Sequence, residues 1–242
     1  MIWIYLVAAF FALLGGISGY MSWFQVKKLN RSRILNLLLF GAVLFTLLMG
    51  SYMSGLLSQA IAAALMTFVY SLFAGFFTGY ALRMIRLRDR AGAVLYVHRS
   101  FLIDYLPAIA AILLILFGLY RTSLLLEQPV TAIRLTSGLS LMAFGFLGWT
   151  LKIVPEFRDR GIFLLDHQID WPRVISWRWN SEEVLRVEYL YKPKSPDREI
   201  RSFQTRIPLD ERKQLESVLS SMMERHAEKR HKLISNPDAE FP

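Results

Sequence analysis

The sequence predicts an α-helical membrane protein with about five transmembrane helices, N-terminus outside and C-terminus inside, followed by a small cytoplasmic α+β domain. Two observations predict this fold class: long uncharged apolar runs in the first part of the chain, and a change in charge near Val154. Up to Val154 there are 12 Lys/Arg and three acidic residues, whereas the remainder has 16 of each. Such an uneven distribution indicates one region adapted to lipid and another adapted to water.

Five apolar segments are long enough to cross ~30 Å of hydrocarbon, which takes about 20 helical residues. The longest uncharged run, Ile34 to Leu82, is too long for one crossing, and its small and polar residues around Gly50 to Gln59 predict a turn. The first segment has no basic region before it and is too long for a cleavable signal peptide, so we expect a retained helix. The predicted spans cover approximately 2–24, 34–53, 60–82, 101–120 and 130–153, and together form a transmembrane domain over 1–154.

Basic residues gather after the first and third spans, and cytoplasmic loops of membrane proteins carry an excess of Lys and Arg. This pattern predicts a multi-pass protein of the cell (inner) membrane, with the N-terminus outside and the C-terminal domain in the cytoplasm. The same residues are expected to bind anionic lipid headgroups, at about 1 kcal/mol each. They are Lys27, Lys28, Arg31 and Arg33 after the first span, and Arg83, Arg86, Arg88 and Arg90 after the third.

The motif G-x-x-[ST]-G-Y occurs twice, at Gly15 to Tyr20 and at Gly75 to Tyr80, and Gly145 begins a degraded third copy. The repetition has two interpretations, an internal duplication or the ordinary abundance of Gly and Tyr in membrane helices. Small residues four positions apart let helix backbones approach closely. The sequence therefore predicts helix packing through Gly15, Gly19, Ser71, Gly75, Gly79 and Gly145.

Residues 155–232 predict a compact α+β domain. Gly161 to Leu165, Gln168 to Trp171, a segment starting at Trp177, Val184 to Tyr191 and Ile200 to Ile207 have the composition and alternation of strands. An amphipathic helix is expected over 208–232, with an apolar stripe of Leu215, Val218, Leu219, Met222 and Met223. The tail over 233–242 is expected to be disordered.

The run R-G-I-F-L-L-D-H-Q-I-D-W-P-R-V-I-S-W-R-W, from Arg160 to Trp179, resembles the pleckstrin-homology-like (PH-like) domains of uncharacterised bacterial membrane proteins. The resemblance covers about 75 residues. It implies antiparallel strands with a C-terminal helix and a role in interaction or assembly. It also implies that Gly161 serves a turn and that Ile169, Trp171 and Val174 fill the core.

A PH-like domain has about seven strands, and residues 155–232 predict only four or five. Ala93 to His98, in the loop after the third span, is rich in residues that favour strands. An open sheet edge presents unpaired backbone groups. We therefore predict that this segment pairs with the edge of the C-terminal sheet; the alternative is an amphipathic segment lying on the headgroups.

Few residues suggest chemistry. Asp104 lies one turn inside the fourth span, where an ionisable group is a candidate functional residue, although it can also reach the interface or pair with a loop arginine. Asp166, His167 and Asp170 are better explained by a polar hairpin turn than by a metal site. Trp177 and Trp179 form either part of the core or an interaction surface.

The sequence contains no cysteine, no HExxH-type pair of histidines and no paired carboxylates within the predicted spans. We therefore expect no catalytic residues, no metal and no cofactor. The leading hypothesis is a non-catalytic scaffold, assembly factor or accessory subunit that binds a protein partner or a second copy, and no nucleic acid. A small transporter or channel component is the first alternative, and a lipid-modifying membrane enzyme is the second.

Overall fold

A computed structural model shows the chain as two compact units. The first, the helical unit, comprises Met1–Arg86 and Phe101–Leu151; the second, the sheet unit, comprises Leu87–Ser100 and Lys152–Pro242. The structure describes residues 2–21, 31–99, 101–125, 129–152, 154–191 and 199–235, without the side chains of 31, 33, 34, 37, 101–104 and 234. The predicted transmembrane domain over 1–154 included residues 87–100, which the structure groups with the sheet unit instead.

The helices of the helical unit are α1 (Ile2–Tyr20), α2 (Arg31–Met53), α3 (Gln59–Arg90), α4 (Phe101–Arg121) and α5 (Ala132–Thr150). The residues of α3 after Arg86 belong to the sheet unit. Within the described residues, α1, α3 and α5 are long and apolar enough to cross a membrane. In α2 and α4 the apolar stretches, Leu38–Met53 and Tyr105–Arg121, are shorter. Of the about five predicted spans, three therefore correspond to described helices with the length and composition that a crossing needs.

The helix ends differ from the predicted spans. The third span was predicted to end at 82, but α3 continues to Arg90, because the Arg-rich segment after Leu82 consists mostly of good helix formers. Its last turn carries Arg88 and Arg90, whose charges suit the negative end of the helix dipole. At its start, α5 is capped by Thr131, whose side-chain oxygen accepts a hydrogen bond from the Arg134 amide at 3.4 Å.

The described residues of the sheet unit form seven strands in two antiparallel sheets. The four-stranded sheet has the order β1-β2-β3-β4, with β1 (Val94–Val97), β2 (Glu156–Arg158), β3 (Gly161–Leu164) and β4 (His167–Asp170). The three-stranded sheet has the order β5-β6-β7, with β5 (Val174–Trp179), β6 (Val184–Tyr191) and β7 (Glu199–Arg206). A 3-10 turn at Trp171–Arg173 joins the two sheets along the chain.

The predicted pairing of the loop segment after α3 is confirmed. Strand β1 pairs antiparallel with β2, placing Val94 opposite Arg158 and Val97 opposite Glu156. The partner strand β2 was not predicted from the sequence, because it is only three residues long and two of them are charged. The four-stranded sheet is therefore assembled from two chain segments that are separated by α4 and α5.

The core of the sheet unit contains the residues that the sequence placed there. Ile169, Trp171 and Val174 are each at most 2% exposed, and Leu185, Val187 and Tyr189 face them from β6. Gly161 closes the two-residue turn at 159–160, where it pairs with Arg158, in agreement with the expected turn role. It begins β3, opposite Asp170, and a Cβ atom there would lie within 3.0 Å of the Ile169 backbone.

The predicted C-terminal helix is divided in two. α6 (Arg212–Arg225) buries Leu215, Leu219 and Met222 of the predicted stripe, and α7 (Ala227–Ser235) follows after a break at His226. The Arg230 side chain donates to the Met223 carbonyl at 3.2 Å, which satisfies an acceptor near the break. α7 includes 233–235 of the predicted disordered tail, and residues 236–242 lie outside the described part of the chain.

Candidate functional site

The closest approach within the helical unit is the contact between α1 and α3. A Cβ atom on Gly15, Gly19, Gly75 or Gly79 would come within 3.0 Å of the facing backbone, a separation that real side chains essentially never show. The predicted packing residue Ser71 is buried beside them, and its hydroxyl donates to the Thr67 carbonyl at 2.8 Å. Only glycine fits at these four positions if the two helices are to remain this close together.

The two copies of the repeated motif face each other across this contact. Gly15 lies against Leu72 and Phe76, and Gly75 lies against Ala12 and Gly16, which are the residues 60 positions earlier. Each motif copy thus meets the other in the same way, and the two helices run in parallel. The contact has the local two-fold symmetry of a helix dimer within a single chain.

The degraded third copy has a different environment. Gly145 on α5 packs on α4, where a Cβ would lie 2.8 Å from the Ala111 carbonyl oxygen. Gly118 and Gly138 form a second close contact between α4 and α5, and sequence reasoning missed both. The spacing of small residues could have indicated this contact, since Gly138 and Gly145 lie seven residues apart on α5, and Ala111 and Gly118 lie seven apart on α4. In an antiparallel pair, small residues two turns apart on both helices produce two such contacts.

Two arginines of α3 attach its end to the end of α1. The Arg83 guanidinium donates to the Met21 carbonyl at 3.4 Å. Arg86 donates to the hydroxyl of Tyr20, and its guanidinium carbon lies 5.9 Å from the centroid of that ring. Of the other basic residues predicted to meet headgroups, Lys27, Lys28 and the side chains of Arg31 and Arg33 lie outside the described residues.

The candidate residue Asp104 belongs to α4, but its side chain lies outside the described residues. Asp166 is buried in the turn between β3 and β4, with one carboxylate oxygen 3.6 Å from His167 Nδ1. Asp170 accepts from Gln168 at 3.1 Å and faces Arg173 at 3.5 Å. Among the described side chains no group of three or more His, Asp or Glu residues is placed to hold a metal ion.

A buried ionic cluster lies where β1 joins the sheet. Glu156 on β2 is 7% exposed, and its carboxylate accepts from Arg158 at 2.7 Å and faces the Arg88 Nε at 3.7 Å. Arg158 also donates to the carbonyls of Arg88 at 3.2 Å and Gly92 at 2.8 Å. The cluster therefore fixes the segment before β1 against β2 through both side chains and backbone.

A second contact holds the other end of β1 to α6. Tyr96 donates to the Glu211 carboxylate, and the His98 Nδ1 lies 3.1 Å from the same carboxylate. Burial, and then the hydrogen bond to Glu211, raise the pKa of Tyr96 above its usual value, so the phenol remains a donor. Residues more than 110 positions apart meet here, which no local pattern in the sequence indicates.

The candidate interaction surface of Trp177 and Trp179 is largely covered. Both side chains pack against the core of the sheet unit. The Trp179 indole N–H donates to Glu216 at 2.7 Å, and the Arg212 guanidinium lies 4.5 Å from its ring centroid. The contacts of Trp179 with α6 leave little of its ring for a partner.

Comparisons with known protein families, with curated proteins and with solved structures find no match for this chain. The arrangement of the residues therefore carries the functional argument by itself.

The first prediction concerns the α1–α3 contact. Replacing Gly75 or Gly79 with Leu should destabilise the helical unit by at least about 1–3 kcal/mol, because the new side chain overlaps the backbone of α1. The melting temperature in mild detergent measures the effect. Gly41→Leu is the matched control, since a Cβ at Gly41 meets nothing within 4 Å. Equal melting temperatures for all three variants would mean that the helices do not need this approach.

The second prediction concerns the ionic cluster. Glu156→Gln leaves two buried guanidinium groups without their shared carboxylate, and breaking a buried pair costs about 3–5 kcal/mol. The urea midpoint of the sheet unit, followed by tryptophan fluorescence, should fall accordingly. Glu199→Gln is the control, because Glu199 pairs with Arg201 on the surface and exposed pairs contribute about 0–1 kcal/mol. Similar midpoints for both variants would contradict a structural role for the cluster.

Proposed function

We propose that this chain is a multi-pass protein of the cell (inner) membrane and a non-catalytic scaffold, assembly factor or accessory subunit. Its five helices span the bilayer with the N-terminus outside. Its sheet unit is a cytoplasmic PH-like domain that recruits a protein partner. The observation that carries the proposal is the pairing of β1 with β2, which joins segments from both sides of the α4–α5 hairpin in one sheet.

The exposed apolar surface of the helices supports the membrane location. Leu13 and Phe40 are each 68% exposed and Leu113 is 61% exposed. Large contiguous apolar surfaces are rare on soluble proteins and mark contacts with lipid or with other proteins. A lipid environment for α1 to α5 explains why these side chains need no cover from the chain itself.

The sheet unit supports the PH-like assignment once β1 is included. Residues 155–232 predicted only four or five strands, which is too few for such a domain. With β1 and β2, the described residues form seven strands, four in one sheet and three in the other. The helix α6 places its apolar stripe against the same core as Trp171 and Leu185. The strand number and the terminal helix agree with what the resemblance implies.

The connectivity supports a scaffold. The chain passes between the two units three times, after Arg86, after Ser100 and after Leu151. The sheet unit is thus interleaved with the helical unit along the chain and is not simply appended to its end. A recruiting domain interleaved with the membrane helices in this way suits an assembly factor.

The partner surface that we favour is the outer edge of β7. This strand is eight residues long and pairs only with β6 among the described strands. Its side chains alternate in exposure, and Ile200 is 63% exposed. An edge strand of this length offers backbone groups to an extended segment of another protein.

The third prediction tests sidedness. The chain has no native cysteine, so single cysteines report position without background. Thr122, just after α4, is fully buried, so the outside reporter is Leu125, which is 70% exposed. In intact cells an impermeant thiol reagent should label Leu125→Cys, and should label the exposed position Ser202→Cys only after permeabilisation. Labelling of Ser202→Cys in intact cells would overturn the orientation.

The fourth prediction tests recruitment. A photo-crosslinking amino acid at Gln204, exposed on β7, should give one dominant protein adduct after irradiation of cells. The same amino acid at Ser217, exposed on α6, is the matched control and should not give that adduct. Identical adduct patterns from both positions, or none from β7, would contradict recruitment through this edge.

A further inference from the structure

An open apolar groove runs along the helical unit. It has a volume of about 1110 Å³ and is lined by α1, α3 and α5, with one residue of α4. Its floor includes Gly16 and Gly75 from the α1–α3 contact, and Leu13, Ile17 and Leu82 line it while being about half exposed or more. Pockets that hold drug-sized ligands have volumes of about 300–1,000 Å³, so the groove is large enough for lipid chains.

The length of the groove matches one leaflet. Along α1 the lining residues run from Ala9 to Met21, which at the helical rise of ~1.5 Å per residue is about 18 Å. Half of the ~30 Å hydrocarbon core of a bilayer is about 15 Å. A chain lying in the groove would therefore extend from one interface to near the midplane, as the acyl chains of one leaflet do.

One end of the groove is basic. Tyr20 and Met21 line that end, Arg86 donates to the Tyr20 hydroxyl, and Arg83 donates to the Met21 carbonyl. The guanidinium of Arg86 is exposed, so it can bind a further oxygen beside the groove. Guanidinium groups recognise phosphate through parallel N–H donors.

We propose that this groove binds an anionic phospholipid, with its acyl chains against α1, α3 and α5 and its phosphate at Arg86, while Arg83 adds positive charge. The inference rests on the proposed membrane location and adds a specific ligand site to it. An apolar groove with a cationic end fits an amphiphile with a negative headgroup. A helix from a second copy would leave the charge of Arg86 without a counterpart.

The test uses the full chain in mild detergent, with native mass spectrometry to count bound lipids during titration with phosphatidylglycerol or phosphatidylcholine. We expect one tightly bound phosphatidylglycerol and weaker binding of phosphatidylcholine. Arg86→Gln should weaken phosphatidylglycerol binding about fivefold, the effect of one charge near the headgroups, and should weaken phosphatidylcholine binding less, because the choline cation offsets the charge of its phosphate. Arg121→Gln, at the exposed end of α4, is the matched control and should change neither.

Two variants fill the groove. Thr78→Phe at the basic half and Ala9→Phe at the far end should each abolish tight binding, whereas Ala42→Phe on the exposed face of α2 should not. Variants that melt like the parent yet retain the lipid would overturn the proposal. A change from dimer to monomer without a change in bound lipid would identify a second copy as the occupant and would also overturn it. Loss of lipid selectivity with unchanged cysteine labelling and β7 crosslinking would remove this site alone and leave the proposed function standing.

Discussion

The backbone pairing of β1 with β2 joins two parts of the chain that are separated by the whole of α4 and α5. Closing a flexible loop of that length costs about 3.5 kcal/mol plus a constant. The antiparallel contact of α4 with α5 reduces this cost, because it brings the start of α4 and the end of α5 together within the helical unit. The ionic cluster at Glu156 and the contact of Tyr96 with Glu211 then hold both ends of β1 in the sheet. The integrity of the sheet unit therefore depends on a helix pair that belongs to the other unit.

Direct backbone contact also holds the helices of the helical unit together. At Gly15 and Gly75 the facing atoms all belong to the backbone, and Gly118 and Gly138 each face the other's carbonyl oxygen. Packing of this kind depends on shape and van der Waals contact, so it works in a solvent that gives apolar side chains no reason to leave it. Larger residues along the same helices remain exposed, and the small residues beside the contact form the floor of the apolar groove.

The sequence predicted what depends on local pattern. The strands around Ile162 and Val187 and the stripe containing Leu215 follow from periodicity, and the β-forming composition near Tyr96 correctly indicated a strand between two helices. The partner of that strand was missed because Glu156 to Arg158 is short and charged, and its two charges pair with each other and with Arg88, almost 70 positions earlier. The glycine motifs identified packing faces, but the fact that each faces its own copy is a property of the assembled helices. Contacts between distant polar residues, such as His98 with Glu211, have no local signature.

The separation of β1 from β2 along the chain has a consequence for synthesis. A ribosome adds about 5–20 residues each second, so β2 leaves it roughly 3–12 s after β1. During that interval the chain carries a strand-forming segment with no partner, while the hairpin of α4 and α5 is still being made. Premature pairing of nascent β1 with a foreign strand is the error that this interval permits. The order in which this protein becomes folded is set by its connectivity, with the domain completed only after the last apolar helix has left the ribosome.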